Sequence, residues 1–289
     1  MAKSDSKSAV ATATGRTSRP KLGQNFLIDQ SAAHRIVDAL GDISNRTVIE
    51  IGPGRGMLTD ILVRRARKVI GIELDRVLAA QMRMKYASLS TIEVLESDFV
   101  TVEWQSMVGR RPGPLHDLRP TQPDTVDIIG NLPYYITSDI VLRILAEHES
   151  IGRAVIMVQR EVADRLAAQP GTRDYGLLSA TTQLFARVEN LFTLPPSAFS
   201  PAPQVHSSVL RLTLAPRLEE LRVDPDAFQE LLKLAFAQKR KTLANNLKVS
   251  YPGKQVLASL KAAGVPADVR AEALPLEKMA AIFRNLKQA

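Results

Sequence analysis

Nine consecutive residues, Val48-Ile49-Glu50-Ile51-Gly52-Pro53-Gly54-Arg55-Gly56, limit what this chain can fold into more than any others. The apolar, β-branched start reads as a buried strand. Three glycines at alternate positions then break it, and Leu58, Ile61 and Leu62 fall on one face of a helical pattern. Strand, glycine turn and helix form the entry to a nucleotide-binding α/β unit, in which the backbone turns sharply and a ligand approaches where no Cβ stands. The spacing is GxGxG and not the dinucleotide GxGxxG. That favours a cofactor without a pyrophosphate, with S-adenosylmethionine the leading candidate.

Further strands end in polar groups at the spacing such a unit requires. Lys68 to Asp75 reads as a second buried strand, and Glu73 lies 19 residues beyond Gly54. An acid about 20 residues past the glycine turn, at the tip of the next strand, suits a ribose, because two carboxylate oxygens match a vicinal diol. Asp75 reads as structural. Thr91 to Phe99 is a third strand closing on Asp98, an acceptor for the 6-amino group of a cofactor adenine. Thr125 to Gly130 is a fourth strand, which delivers Asn131-Leu132-Pro133-Tyr134-Tyr135-Ile136.

That hexapeptide points to methylation of an exocyclic amine. Such an amine is a poor nucleophile, because its lone pair is delocalised into the ring. A sulfonium methyl is already a strong electrophile, so placement matters more than a strong base. The Asn131 side-chain oxygen and the carbonyl of Leu132 or Pro133 can accept the two N–H bonds and offset the charge that develops. Pro133 fixes that backbone, and Tyr134 offers a face for the target base.

The remaining chain reads as follows. Ser31 is expected to cap a helix from Ala32 to about Leu40. Helices are expected over Arg76–Tyr86, Thr137–Glu147 and Arg160–Gln169, with a buried strand over Arg153–Gln159 between the last two. Gly109 to Asp124, with four prolines and no periodicity, reads as a loop insertion. Leu194 to Pro203 is an extended proline-dense loop carrying Phe199, after which Ser208–Leu212 is expected to close the sheet. Beyond about Ala215 the strand signal ends, and helices are expected over Asp226–Ala237, Lys254–Ala263 and Leu276–Lys287.

Charge distribution indicates the partner. The net charge is +8, yet residues 1–21 carry five Lys/Arg against one acid and residues 214–289 thirteen against eight, while the middle is nearly balanced. Basic flanks around a neutral centre suit an anionic polymer. Cysteine is absent, which removes thiolate metal sites and cysteine nucleophiles and fits a reducing, cytoplasmic setting. No apolar run is long enough to span a bilayer. A monomer is the default expectation, and no metal site is read.

With these residues in hand, the chain resembles the KsgA/RsmA family of small-subunit (16S) rRNA adenine dimethyltransferases from Lys21 to Lys287. The resemblance rests on KLGQNFL (21–27), EIGPGRGMLT (50–59), GIELD (71–75), SDF (97–99) and NLPYYI (131–136). It continues through QREVADRL (159–166), FSPAPQVHSSV (199–209) and FAQKRKTLANNLK (236–248). It implies a Rossmann-like α/β methyltransferase sheet with helices on both faces over residues 20–214. A helical RNA-binding domain over 215–289 and a disordered basic tail over 1–19 complete the chain. S-adenosylmethionine is placed against Asn25, Leu27, Gly52, Glu73, Asp98 and Asn131. Asn131 and Pro133 serve the amine, and Tyr134 and Phe199 sandwich the base. The reaction implied is dimethylation of two adjacent adenines near the 3′ end of small-subunit rRNA in an assembling ribosomal particle. Tyr135 departs from the asparagine of many bacterial members, and Gln204 and His206 replace a more usual lysine and aspartate. The alternatives are a large-subunit rRNA adenine methyltransferase of the antibiotic-resistance type, which FxPxPxVxSxV and the NNLK block disfavour, and a non-catalytic ribosome-assembly or transcription factor on the same fold.

Overall fold

The computed structural model describes residues 24–104 and 125–288. The expected basic tail and the insertion at 109–124 lie outside these residues.

A strap opens the described chain: β1 (Phe26–Leu27), then helix α1 (Gln30–Asp38). The helix begins two residues earlier than a Ser31 cap suggests. Asp29 is its cap, with the carboxylate accepting from the Ala32 amide at 3.0 Å. Asp and Ser are comparable caps; here the aspartate is the one in extended backbone conformation, whereas Ser31 is already helical.

Alternating strands and helices follow: β2 (Thr47–Ile51), α2 (Thr59–Leu62), β3 (Lys68–Glu73), α3 (Arg76–Lys85) and β4 (Ile92–Glu96). After the gap come β5 (Val126–Asn131), a 3₁₀ turn (Tyr134–Ile136), α4 (Thr137–Ala146), β6 (Ile151–Gln159) and α5 (Arg160–Ala167). Asp75 caps α3, accepting from the amides of Val77 and Leu78, as a structural acid should.

The next two elements, α6 (Leu177–Phe185) and β7 (Ala186–Leu194), have no counterpart among the expected elements. Strand β7 is half-exposed with little clean alternation, which hides it from a periodicity argument. Then come β8 (Phe199–Ser200) and β9 (Ser207–Leu214).

The main sheet has the order β4-β3-β2-β5-β6-β9-β7. Strands β2 to β6 are mutually parallel, and β9 runs antiparallel to both β6 and β7. Ser208–Leu212 therefore does not close the sheet. It is inserted between β6 and β7, and β7 forms the edge. A separate two-stranded ribbon pairs β1 with β8, Leu27 opposite Phe199.

Both faces of the sheet are covered, so the central strands are largely apolar, with Glu50 of β2 and Asp127 of β5 as buried exceptions. Side chains alternate between the two cores. Ile128 and Ile156 enter one apolar cluster; Ile129 and Val155 enter the other, with Ile36 and Leu62. The first cluster continues into the C-terminal helices α7 (Leu218–Leu221), α8 (Pro225–Ala235), α9 (Leu243–Leu247), α10 (Gly253–Ala262) and α11 (Leu276–Gln288). Phe228 and Phe283 lie edge-on with centroids 5.4 Å apart, tying α8 to α11. One apolar core thus runs across residues 214 and 215.

The parallel order reverses direction between β2 and β5. Ligands of open α/β sheets bind in the crevice outside the carboxyl ends of the strands at such a switch point. Gly52, Glu73 and Asn131 stand at the carboxyl ends of β2, β3 and β5, with Asp98 two residues beyond β4.

Candidate active site

A cavity of about 810 Å³, counting its open mouth, occupies that crevice. Its floor is the glycine turn. Gly52, Gly54 and Gly56 all have positive φ (63°, 58° and 86°), a backbone region that disfavours side chains. At Gly52 an added Cβ would stand in open space within the cavity. The turn is thus shaped around a volume that a side chain would fill. At Gly54 the constraint is contact, because a Cβ would sit 3.0 Å from the Phe26 ring. The Arg55 guanidinium covers that ring at 4.4 Å from its centroid.

Glu73 braces the floor. One carboxylate oxygen accepts from the Gly54 amide at 2.9 Å and the other from the Asp75 amide at 3.0 Å. The side chain is buried. Burial raises its pKa above the usual carboxylate range, and the two amides oppose that rise. Each oxygen retains acceptor capacity, so the carboxylate meets a ligand with its plane already fixed. Beneath it Glu50 is buried at 2% exposure. It accepts from the Thr59 hydroxyl at 2.6 Å, and desolvation pushes its pKa up to about 7.

Asp98 lines the far end. One of its oxygens accepts from the Val100 amide at 2.8 Å, closing its own turn. Gly130 sets the depth of Asn131, for a Cβ there would meet the Ile51 carbonyl at 2.8 Å. The Asn131 side-chain nitrogen donates to the main-chain oxygen of Asn25 at 2.8 Å, tying the strap to the end of β5. The Pro133 carbonyl accepts from the Ile136 amide at 3.3 Å and from the Thr137 hydroxyl at 3.1 Å. The Tyr134 hydroxyl and Ser207 share a hydrogen bond of 2.8 Å, and burial raises the phenol pKa.

Of the residues expected from sequence, Asn25, Gly52, Glu73, Asp98, Asn131, Pro133 and Tyr134 surround this one cavity. Leu27 and Phe199 do not. Both are buried, at 6% and 3% exposure, in the apolar cluster with Val209 and Leu194. Their pairing in the β1–β8 ribbon fixes them there, so the structure does not place Phe199 beside Tyr134 on the cavity wall. Phe26, the strap's aromatic residue, is a cavity wall. The braces from Thr137 and Ser207 escaped the sequence reading. Thr137 carried a faint signal, a hydroxyl four residues past a proline; Ser207, 73 residues from Tyr134, carried none.

The donor set suits a cationic nucleoside: a braced carboxylate for hydroxyls, a glycine floor, an acid for an amine, and apolar walls from Phe26, Ile51, Ile72 and Phe99.

The chain is similar to known proteins along most of its length. Residues 15–288 match the sequence profile of the family described as Ribosomal RNA adenine dimethylase. Ribosomal RNA small subunit methyltransferase A of Koribacter versatilis (strain Ellin345) is 59% identical over 270 residues, covering 93% of this chain and 95% of that protein. A dimethyladenosine transferase from Plasmodium falciparum shares the fold, with a TM-score of 0.74 and 24% identity over 91% of this chain and 97% of that one. The 23S rRNA methyltransferase ErmE superposes with a TM-score of 0.67 at 29% identity, over 91% of this chain and all of that one.

Proposed function

This chain belongs to the ribosomal RNA adenine dimethylase family, and from that premise we propose that it dimethylates the 6-amino groups of two adjacent adenines near the 3′ end of small-subunit rRNA. It is an S-adenosylmethionine-dependent methyltransferase. The single observation carrying the assignment of roles is the convergence of Asn131, Pro133 and Tyr134 with the Glu73-braced glycine turn on one cavity.

Asn131, Gly52, Glu73, Asp98 and Asn25 would hold the cofactor. The glycine turn admits it, Glu73 takes the ribose hydroxyls, Asp98 the adenine amine, and the Asn25–Phe26 strap covers it. When bound, it supplies an electrophilic methyl carbon. The rest is positioning. The target adenine is extruded from its strand and laid on Tyr134, whose tilt is set by Ser207. The nitrogen of the Asn131 amide is engaged by Asn25, which turns the amide oxygen toward the target amine. The Pro133 carbonyl already serves Ile136 and Thr137, which leaves the Leu132 carbonyl as the second acceptor. Two acceptors on two N–H bonds draw the amine toward tetrahedral geometry and offset the positive charge developing on it. A monomethylated amine keeps one N–H for the second round.

Residues 215–289 serve RNA docking in this reading. Lys239, Arg240 and Lys241 are exposed on one turn. Asn246 fixes that turn by donating to the Ala235 and Gln238 carbonyls at 2.6 and 3.3 Å, and Lys239 reaches the Arg173 carbonyl. A monomer acting in the cytoplasm accords with this role; among the described residues no helix is long and apolar enough to cross a membrane.

The test is labelled methyl transfer to under-modified small-subunit particles, with the modified nucleotides mapped. Two dimethylated neighbouring adenines are expected. Label confined to large-subunit rRNA, or no transfer, would overturn the proposal.

A further inference from the structure

Tyr134 and Tyr135 are adjacent in sequence and opposite in circumstance. They open the 3₁₀ turn that follows β5, where successive side chains diverge by about 120°. Tyr134 points inward, half-buried and tied to Ser207. Tyr135 is 61% exposed, although it lines the same cavity. A tyrosine facing water at the rim of a site offers its ring to a ligand that reaches beyond the cavity. The second aromatic expected to sandwich the base, Phe199, is 3% exposed within the ribbon, and of the aromatics lining the cavity, Phe26, Phe99, Tyr134 and Tyr135, the exposed one is Tyr135.

We propose that Tyr135 is a second stacking platform, outside the base pocket, which receives the base of the nucleotide next to the extruded adenine. This inference rests on the rRNA reading above and deepens it. Extruding one nucleotide unstacks its neighbour, and an exposed tyrosine face at the rim replaces that lost stacking. Stacking is tolerant of base identity, which suits a platform that must serve two successive targets in turn. The ring contributes to substrate capture and register, so Tyr135 is a positioning residue rather than a catalytic one.

The experiment compares wild type with Tyr135→Ala, Tyr135→Phe and Tyr135→Asn on under-modified small-subunit particles, measuring kcat and KM separately, with cofactor affinity by calorimetry. Loss of one stacked base is expected to raise KM for the particle by about 5- to 100-fold in the Ala and Asn variants. Cofactor affinity should stay within twofold, and Tyr135→Phe should restore KM. A KM within twofold of wild type in Tyr135→Ala, or a loss confined to cofactor binding, would overturn the platform while leaving the rRNA reading intact. A wild-type protein inert on the particles would remove that reading and the platform with it.

Discussion

The amide nitrogen of Asn131 is held by the main-chain oxygen of Asn25 at 2.8 Å, so the last residue of a central strand is oriented by a strap more than a hundred residues earlier. This one bond decides which end of the amide faces the open cavity. Replacing Asn131 with Ala removes the acceptor, and kcat for methyl transfer should fall about 10²- to 10³-fold while RNA binding is retained. Asn131→Asp should also fail, for a different reason. It sets a carboxylate against the Asn25 carbonyl, so the strap should loosen and cofactor affinity drop as well. Single-turnover transfer alongside calorimetric cofactor binding separates the two.

Glu73 illustrates how little an isosteric change can be tolerated when both oxygens of a side chain already accept from backbone amides. In Glu73→Gln one amide, at Gly54 or at Asp75, must face an NH₂ group. A buried donor left unpaired costs about 1–3 kcal/mol. Cofactor affinity should weaken by about 10- to 100-fold and the thermal midpoint should fall. A variant that binds the cofactor like wild type would show that the brace is dispensable.

Gly130 precedes Asn131 and lies against β2. A Cβ there would approach the Ile51 carbonyl to 2.8 Å, closer than the sheet can absorb without moving β5. Gly130→Ala should lower kcat by at least tenfold, the size of loss that a small misplacement of reacting groups produces, and should cost about 1–3 kcal/mol of stability. Denaturant unfolding and turnover measured together test both halves.

Glu50 gives a pH dependence with a definite sign. Burial lifts its folded pKa to about 7, above the unfolded value. Between about pH 4.5 and 7 the folded state therefore binds more protons than the unfolded one. Stability from this group is full at low pH and declines as pH rises through that window. The decline should total on the order of 3 kcal/mol. Glu50→Gln keeps an acceptor for Thr59 and removes the titration. Its stability profile from pH 5 to 8 should be flatter than that of wild type; parallel profiles would count against a neutral Glu50 at low pH.

What could be read in advance tracks the range of the interactions involved. The glycine turn, Glu73 and Asn131 were legible because each follows from a strand end and a spacing, and a parallel sheet gathers strand ends on one edge. The fate of Phe199 was not legible. Its sequence neighbours, prolines and serines, suggest an exposed loop, and only its pairing opposite Leu27 turns the ring into the core. The same holds for β7, whose half-exposed residues have no period of their own and acquire a strand conformation from β9. Ser31 against Asp29 was a choice between two good caps two residues apart, decided by backbone conformation.

The β1–β8 ribbon joins residues 26–27 to residues 199–200, and that span has a bearing on synthesis. A chain emerging from the ribosome can assemble β2 to β5 with the glycine turn and the Asn131 loop, yet the strap beside them lacks its partner strand until some seventy further residues have been made. The strap's backbone pairing is thus a late acquisition in the life of each molecule, and a truncated product ending before the proline loop would carry the glycine turn and Asn131 without the ribbon that anchors residues 26 and 27.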